Sequence, residues 1–360
     1  MADRLVLHAG TAAREYIRQH GLQPAHVRAV VGASGAAKWL GICGLDQAVF
    51  GDWLPRDGAQ PIDLLGTSIG TFKLAAACQD DPRQSLATLA EAYIAQRYHG
   101  VPTPESISRE TARIVSVALP DGGSSILSHP RYRFHVGTAR CHGGLADPRP
   151  GGQKRAIVAG FFANLRGRAR LHHWAERVVF SDPRSAWPLA PVDGVPSQQV
   201  ALCNENLGDA VVASGALPVY MQGVHDIRGA PTGVYRDGGL LDYHPVPDWL
   251  FAANAREGVV LYPHFFAHVS PGWFDKALRW RRARAQDLRN VLLISPSAAH
   301  VERLPGGRLP DRRDFSRCAD ADRQARWRAA LAESQALGEA FLALVDKPER
   351  LVAQVLPIPA

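Results

Sequence analysis

The chain has 360 residues, 46% hydrophobic and 21% charged, a balance that gives a globular α/β protein ample material for a core. Its net charge of +7 rests on arginine more than lysine, and with no nucleic-acid signature in the sequence an excess of this size does not point to a nucleic-acid partner. Five cysteines (Cys43, Cys78, Cys141, Cys203 and Cys318) are odd in number and never closely paired, which argues against a disulfide framework or a zinc site, and no stretch reaches the length of a membrane span.

The first ten residues hold only the short apolar run Leu5-Val6-Leu7, too short for a signal peptide, so a cytoplasmic protein is expected. Residues 12–20 have helical spacing and stop at Gly21. Residues 26–31 read as a strand between Pro24 and Gly32. That strand runs into a small-residue loop from Gly32 to Trp39, then an apolar helix over 40–50. Strand, small-residue loop and helix can cradle an anion, although the same pattern fits a plain tight connection. It is not a P-loop, because Lys38 has no Gly before it and no Ser or Thr after it, and it is not a dinucleotide G-x-G-x-x-G.

Residues 61–79 carry the strongest local signal. A short buried strand over 62–65 meets a turn, Gly66-Thr67-Ser68-Ile69-Gly70, and a small-residue helix follows from Thr71. This is G-x-S-x-G with a strand before it and a helix after it. Such a turn lifts the serine hydroxyl above the sheet edge and crowds the backbone, so the positions two before and two after must lack side chains. Unpaired amides at the helix start favour developing negative charge.

A helix is expected over 82–98, with Leu86, Leu89, Tyr93 and Ile94 on one face. Residues 100–152 are rich in Pro and Gly. They contain a helix near 104–119 and an alternating strand over 132–136, and read as an insertion or lid beside the main sheet. Residues 156–170 suggest a strand entering a helix, 177–180 a strand, and 185–197 a Pro-rich loop. A strand at 200–202 precedes a helix over 207–217, with Asn206 as its N-cap and Pro218 as its stop. Residues 233–236 form a short strand ending in Asp237-Gly238-Gly239, which places an acid at a strand end, where active sites of open α/β sheets collect. The same Asp-Gly pair is also an ordinary turn. Beyond it come a helix near 249–255, a strand over 259–262, and a basic amphipathic helix over 274–290 bearing Trp280. That basic helix could meet an anionic membrane, or simply be solvated. A buried strand over 291–294, a turn-rich loop over 303–313 and a long helix over 321–345 complete a single α/β domain.

A serine on a strained elbow, a small-residue loop and an acid suit acyl transfer, which needs a nucleophile, a base and oxyanion donors. The base could be a histidine of a triad, and His244, His264, His268 and His300 all lie downstream. It could instead be a carboxylate acting directly in a dyad, made more basic by a dry site.

The motif set resembles the patatin-like phospholipase family. The elbow Gly66-Thr67-Ser68-Ile69-Gly70 matches its G-x-S-x-G, and Asp237-Gly238-Gly239 matches its D-G-[GA]. Ala213-Ser214-Gly215-Ala216-Leu217-Pro218 resembles the A-S-x-A-x-P segment between them. The resemblance covers about 28–246. It implies a three-layer α/β/α fold with a mainly parallel central sheet, and hydrolysis of lipid or small carboxylic esters without a cofactor or metal. Ser68 would be the nucleophile and Asp237 the base. Aligning Lys38 with the basic residue of the family's oxyanion loop puts Ser34, Gly35 and Ala36 where three glycines are usual, and Trp39 where another belongs. Ser34 is also a rival nucleophile on paper, but Ala36 stands where an elbow needs glycine. An acyltransferase, a Ser-Asp-His esterase and a silent lipid-binding protein are the alternatives.

Overall fold

A computed structural model of the chain describes residues 4–98, 100–251 and 258–359. Among them the strands are β1 (Leu5–Ala9), β2 (Val27–Gly32), β3 (Ile62–Thr67), β4 (Tyr132–Cys141), β5 (Ala175–Ser181), β6 (Ser197–Ala201), β7 (Val224–His225), β8 (Val234–Asp237), β9 (Val259–Pro263), β10 (Val291–Pro296) and β11 (Val355–Pro357). They form one sheet in the order β11-β1-β10-β9-β2-β3-β4-β5-β6, and β8 attaches to β4 with β7 at its side. The run β10-β9-β2-β3-β4 is wholly parallel, whereas β1, β5 and β8 run antiparallel to β10, β4 and β4. Strands β3, β9 and β10 are buried at every position, as parallel strands covered on both faces must be.

Helices α1 (Thr11–His20), α2 (Ile69–Ala77), α3 (Pro82–Ile94), α4 (Pro104–Ala118), α5 (Pro150–Arg166), α6 (Asn204–Ser214) and α7 (Asp320–Val345) flank the sheet. The chain thus has the expected α/β class with a mainly parallel sheet, in an arrangement compatible with α/β/α layers. No described helix is long and apolar enough to cross a membrane.

Strand β4 corrects the reading of 100–152 as lying beside the sheet. It is ten residues long and sits between β3 and β5. Its alternation serves two cores: Tyr132, Phe134 and Val136 enter the large one, while Ala139 and Cys141 enter a smaller one with Leu145, Ala156, Leu240 and Phe274.

Other differences are local. Residues 156–170 contain no strand; helix α5 starts earlier, with Pro150 at its first position, and stops at Gly167. Asn206 is not the N-cap of α6. Cys203 holds that place, and Asn206 lies three residues in, where its Oδ1 accepts the Cys203 amide at 2.9 Å. The helix expected over 40–50 divides into a 3-10 segment (Ala36–Ile42), one α-turn (Cys43–Gln47) and a π segment (Ala48–Trp53).

The basic helix expected over 274–290 is absent. Three short 3-10 turns replace it: Trp273–Asp275, Arg279–Arg281 and Ala285–Leu288. The Asp275 and Asp287 carboxylates accept the Gly272 and Arg284 amides, closing local turns that compete with a continuous helix. Of the helix expected near 249–255, the turn Pro247–Leu250 is described and residues 252–255 lie outside the described residues. Strands β1 and β11 were not anticipated.

Candidate active site

Strand β3 ends at Thr67, and α2 begins at Ile69. Ser68 between them has φ 53° and ψ −131°, a conformation that costs a non-glycine residue on the order of 1–3 kcal/mol. The glycines on either side let the turn close. A Cβ on Gly70 would collide with the Gly32 carbonyl of β2, and one on Gly66 would lie 2.6 Å from the Thr71 Cα.

The Ser68 hydroxyl donates to Asp237 Oδ2 at 2.8 Å. Asp237 is the last residue of β8, and its other oxygen accepts the Gly239 amide at 2.7 Å. Gly238 fits tightly beneath, where a Cβ would strike the Gly137 carbonyl. The acid does not arrive on a strand parallel to β3. Strand β8 runs antiparallel along β4, so that Asp237 pairs with Thr138 while Thr67 pairs with Gly137. Adjacent positions of β4 therefore set the distance between nucleophile candidate and base candidate, though β4 supplies neither.

Burial pushes the Asp237 carboxyl up to about 6, against the opposing pull of the Ser68 hydroxyl, the Gly239 amide and the charges of Lys276 and Arg312. An aspartate so placed is a better base than an exposed one.

Ser214, the last residue of α6, braces the elbow. Its Oγ accepts the Ser68 amide at 3.0 Å, donates to Gly137 O at 2.8 Å and lies 2.9 Å from Thr71 Oγ1. Below the elbow, Thr67 Oγ1 donates to the Asp242 carbonyl at 2.8 Å. The Asp242 carboxylate is gripped by buried Arg177 at 2.7 and 2.9 Å and by Arg168 at 3.0 Å. Both arginines also bind Asp193 at 2.7 Å, and Arg168 donates to the Leu241 carbonyl. This buried network anchors the segment after Asp237.

The small-residue loop stands beside Ser68, but its three residues are not equivalent. Ser34 is neither a free nucleophile nor an oxyanion donor. Its amide donates to Tyr243 O at 2.9 Å, and its hydroxyl lies 2.9 Å from Thr67 Oγ1. Gly35 and Ala36 line the cavity that holds Ser68, and their amides meet no acceptor among the described residues. Ala36 has φ 51°, so a non-glycine residue does occupy the left-handed region here, at roughly 1–2 kcal/mol. A Cβ on Gly35 would lie 2.5 Å from the Phe265 ring, which would have to shift to admit it. Lys38 pairs with Asp311 at 2.5 Å.

None of the four histidines hydrogen-bonds to Ser68 or Asp237. His244 Nδ1 accepts the Ser270 amide, His264 Nδ1 accepts the Phe266 amide, and the His268 ring stacks on Phe266. His300 lies near Arg4. Burial lowers the pKa of each, so all four stay neutral near pH 7.

Ser68 opens on two cavities, of about 500 and about 670 Å³. Their walls bring in residues that sequence patterns did not single out, chiefly Lys276 and Arg312. Lys276 was absorbed into the expected basic helix, and Arg312 into the turn-rich loop. Ser214 had a weak signal, as the serine of the segment between elbow and acid.

Compared with family models, with curated proteins and with solved structures, the chain shows no match.

Proposed function

We propose that this chain is a serine acyl hydrolase that cleaves carboxylic esters through a Ser68–Asp237 dyad. The observation that carries this reading is the 2.8 Å hydrogen bond from a strained elbow serine to a buried aspartate. Ser68 Oγ attacks the ester carbonyl while its proton passes to Asp237. The Gly35 and Ala36 amides receive the oxyanion. Collapse expels the alcohol, which takes the proton back from the Asp237 carboxyl. Water then attacks the acyl-serine with Asp237 again as base, and the acid leaves. The resemblance of three motifs to patatin-like phospholipases supports the same chemistry, with lipid acyl esters as the substrate class. An alcohol in place of water would make the reaction an acyl transfer, and product analysis with and without added acceptor separates the two.

The test is hydrolysis of p-nitrophenyl esters together with fluorophosphonate labelling. Ser68→Ala is expected to abolish both, and Asp237→Asn to abolish hydrolysis. His268→Gln and His300→Gln should retain most activity. A histidine variant as inactive as Ser68→Ala would replace the dyad by a triad.

A surface feature supports encounter with an anionic lipid layer. Val158, Phe162 and Leu165 are exposed at helical spacing on α5, whose Lys154 and Ile157 line the smaller cavity. Arg281 donates to the Asn164 carbonyl of the same helix, bringing Trp280, 74% exposed, and Arg279 alongside. Apolar side chains set among arginines suit an interface of anionic headgroups. Sedimentation with anionic but not zwitterionic vesicles, weakened by Phe162→Asp, is the expected result.

A further inference from the structure

The two cavities that open on Ser68 have six residues in common: Ala36, Ser68, Leu217, Tyr220, Arg312 and Arg313. These residues form the boundary between them. Two of the six, from segments far apart in sequence, meet along it. The Arg312 guanidinium lies 4.4 Å over the centre of the Tyr220 ring. A planar guanidinium stacks readily on such a ring. Arg312 forms no ion pair among the described residues, and the neighbouring Asp311 is paired with Lys38 at 2.5 Å. The ring is what holds its charged end.

The backbone that presents Tyr220 is strained. Val219, just before it, has φ 71°, a region that β-branched residues rarely enter. Such a conformation persists only where its surroundings over-determine it. The Val219 amide donates to Oε1 of buried Gln153, whose Nε2 donates to the Asp147 carbonyl at 2.7 Å. On the other side, the Met221 amide donates to Leu217 O at 3.0 Å, and the Met221 carbonyl accepts from buried Arg236 at 2.9 Å. The Gln222 amide donates to Ser108 Oγ at 2.9 Å. The chain is thus fixed on both sides of Tyr220, while the ring itself is half-exposed and belongs to neither apolar core. Packing of the interior does not require the strain; placing the ring beneath Arg312 does.

We infer that the Tyr220–Arg312 pair is a partition that divides the space at Ser68 and makes the site selective for the shape of the acyl group. The acyl chain enters the larger cavity, where Phe72, Ile107, Ile114 and Met221 lie beyond the pair, and the alcohol half occupies the smaller one. With the carbonyl carbon at Ser68, the acyl Cα falls beside the pair. An unbranched chain runs past it on one side. A chain branched at Cα must press against it. The selectivity rests on the acyl-hydrolase reading; the partition does not.

p-Nitrophenyl octanoate and p-nitrophenyl 2-propylpentanoate are isomers that differ only in the branch at Cα. Tyr220→Ala and Arg312→Ala should each raise the branched-to-straight ratio of kcat/KM by about tenfold over wild type, the scale of a relieved steric clash. Comparing ratios cancels the intrinsic reactivity of the two esters and any general loss of active protein. Tyr220→Phe keeps the ring face and should keep the wild-type ratio. Should Tyr220→Ala fail to fold, Arg312→Ala and Tyr220→Phe carry the test. A ratio unchanged in either alanine variant, or shifted as far by Tyr220→Phe as by Tyr220→Ala, overturns the inference and leaves the hydrolase reading standing. If wild type cleaves neither ester, the hydrolase reading falls, and calorimetric titration with octanoate and 2-propylpentanoate reads the partition alone. Tighter binding of octanoate that is equalised in Tyr220→Ala upholds it. Equal binding of the two acids to wild type, or binding of neither, overturns it.

Discussion

Ser214 receives the backbone amide of Ser68 at 3.0 Å and hands its own proton to the Gly137 carbonyl at 2.8 Å. One hydroxyl thus ties the strained elbow to the strand that spaces the dyad. Ser214→Ala leaves the Ser68 amide without its acceptor, and the expected loss is about 1–3 kcal/mol in urea unfolding. Ester hydrolysis should fall about tenfold or more, in kcat rather than KM, because the turn that aims Ser68 relaxes. Unchanged kcat would show that the elbow holds its shape without Ser214.

Asp237 must be ionised to accept a proton, and burial raises its pKa to about 6. Hydrolysis of a neutral ester should therefore decline as pH falls through about 6, not near 4. A profile flat down to pH 4.5 would contradict the assignment of Asp237 as base.

The same shift has a stability counterpart with a definite sign. The folded-state pKa lies above the unfolded value, so between about pH 4 and 6 the folded state binds more protons, and stability falls as pH rises through that window. Asp237→Asn removes the buried charge and keeps an oxygen that can accept from Gly239. It should be inactive yet more stable at pH 8, by up to roughly 3 kcal/mol, with the gain fading below about pH 4. Thermal unfolding at pH 4 and pH 8 measures it, and a destabilised Asn variant at pH 8 would count against the raised pKa.

Arg177 is fully buried between Asp242 and Asp193. Arg177→Met leaves two buried carboxylates with Arg168 as their one remaining cation, and removing one partner of such a network costs about 3–5 kcal/mol. Arg177→Met combined with Asp242→Asn should lose less than the sum of the single variants in a double-mutant cycle. Additive losses would mean that the pair is not coupled.

The elbow was legible because its chemistry is local. Gly66, Ser68 and Gly70 lie within five residues, and the steric demand that selects them acts over the same span. The α/β class was legible for a similar reason: buried parallel strands such as β9 and β10 read as unbroken apolar runs. Strand β4 was misplaced because its role depends on partners distant in sequence, β3, β5 and β8, and its surroundings are rich in Pro and Gly. The cationic lining of the smaller cavity was hidden because Lys38, Lys276 and Arg312 come from three segments far apart in sequence, and only folding makes them neighbours. Ser34 illustrates the opposite error. Its position in the loop was read correctly, but no pattern in sequence could show that Tyr243 takes its amide.

The serine and its acid are 169 residues apart, and they meet only because β8 lies along β4. During synthesis at about 5–20 residues per second, Ser68 is incorporated roughly 10–30 s before Asp237. Through that interval the nascent chain holds an elbow without a base. If the Ser68–Asp237 pair hydrolyses esters as proposed, the chain stays inert toward them while it is being made, and the pair is complete only after the strand that delivers Asp237 has docked.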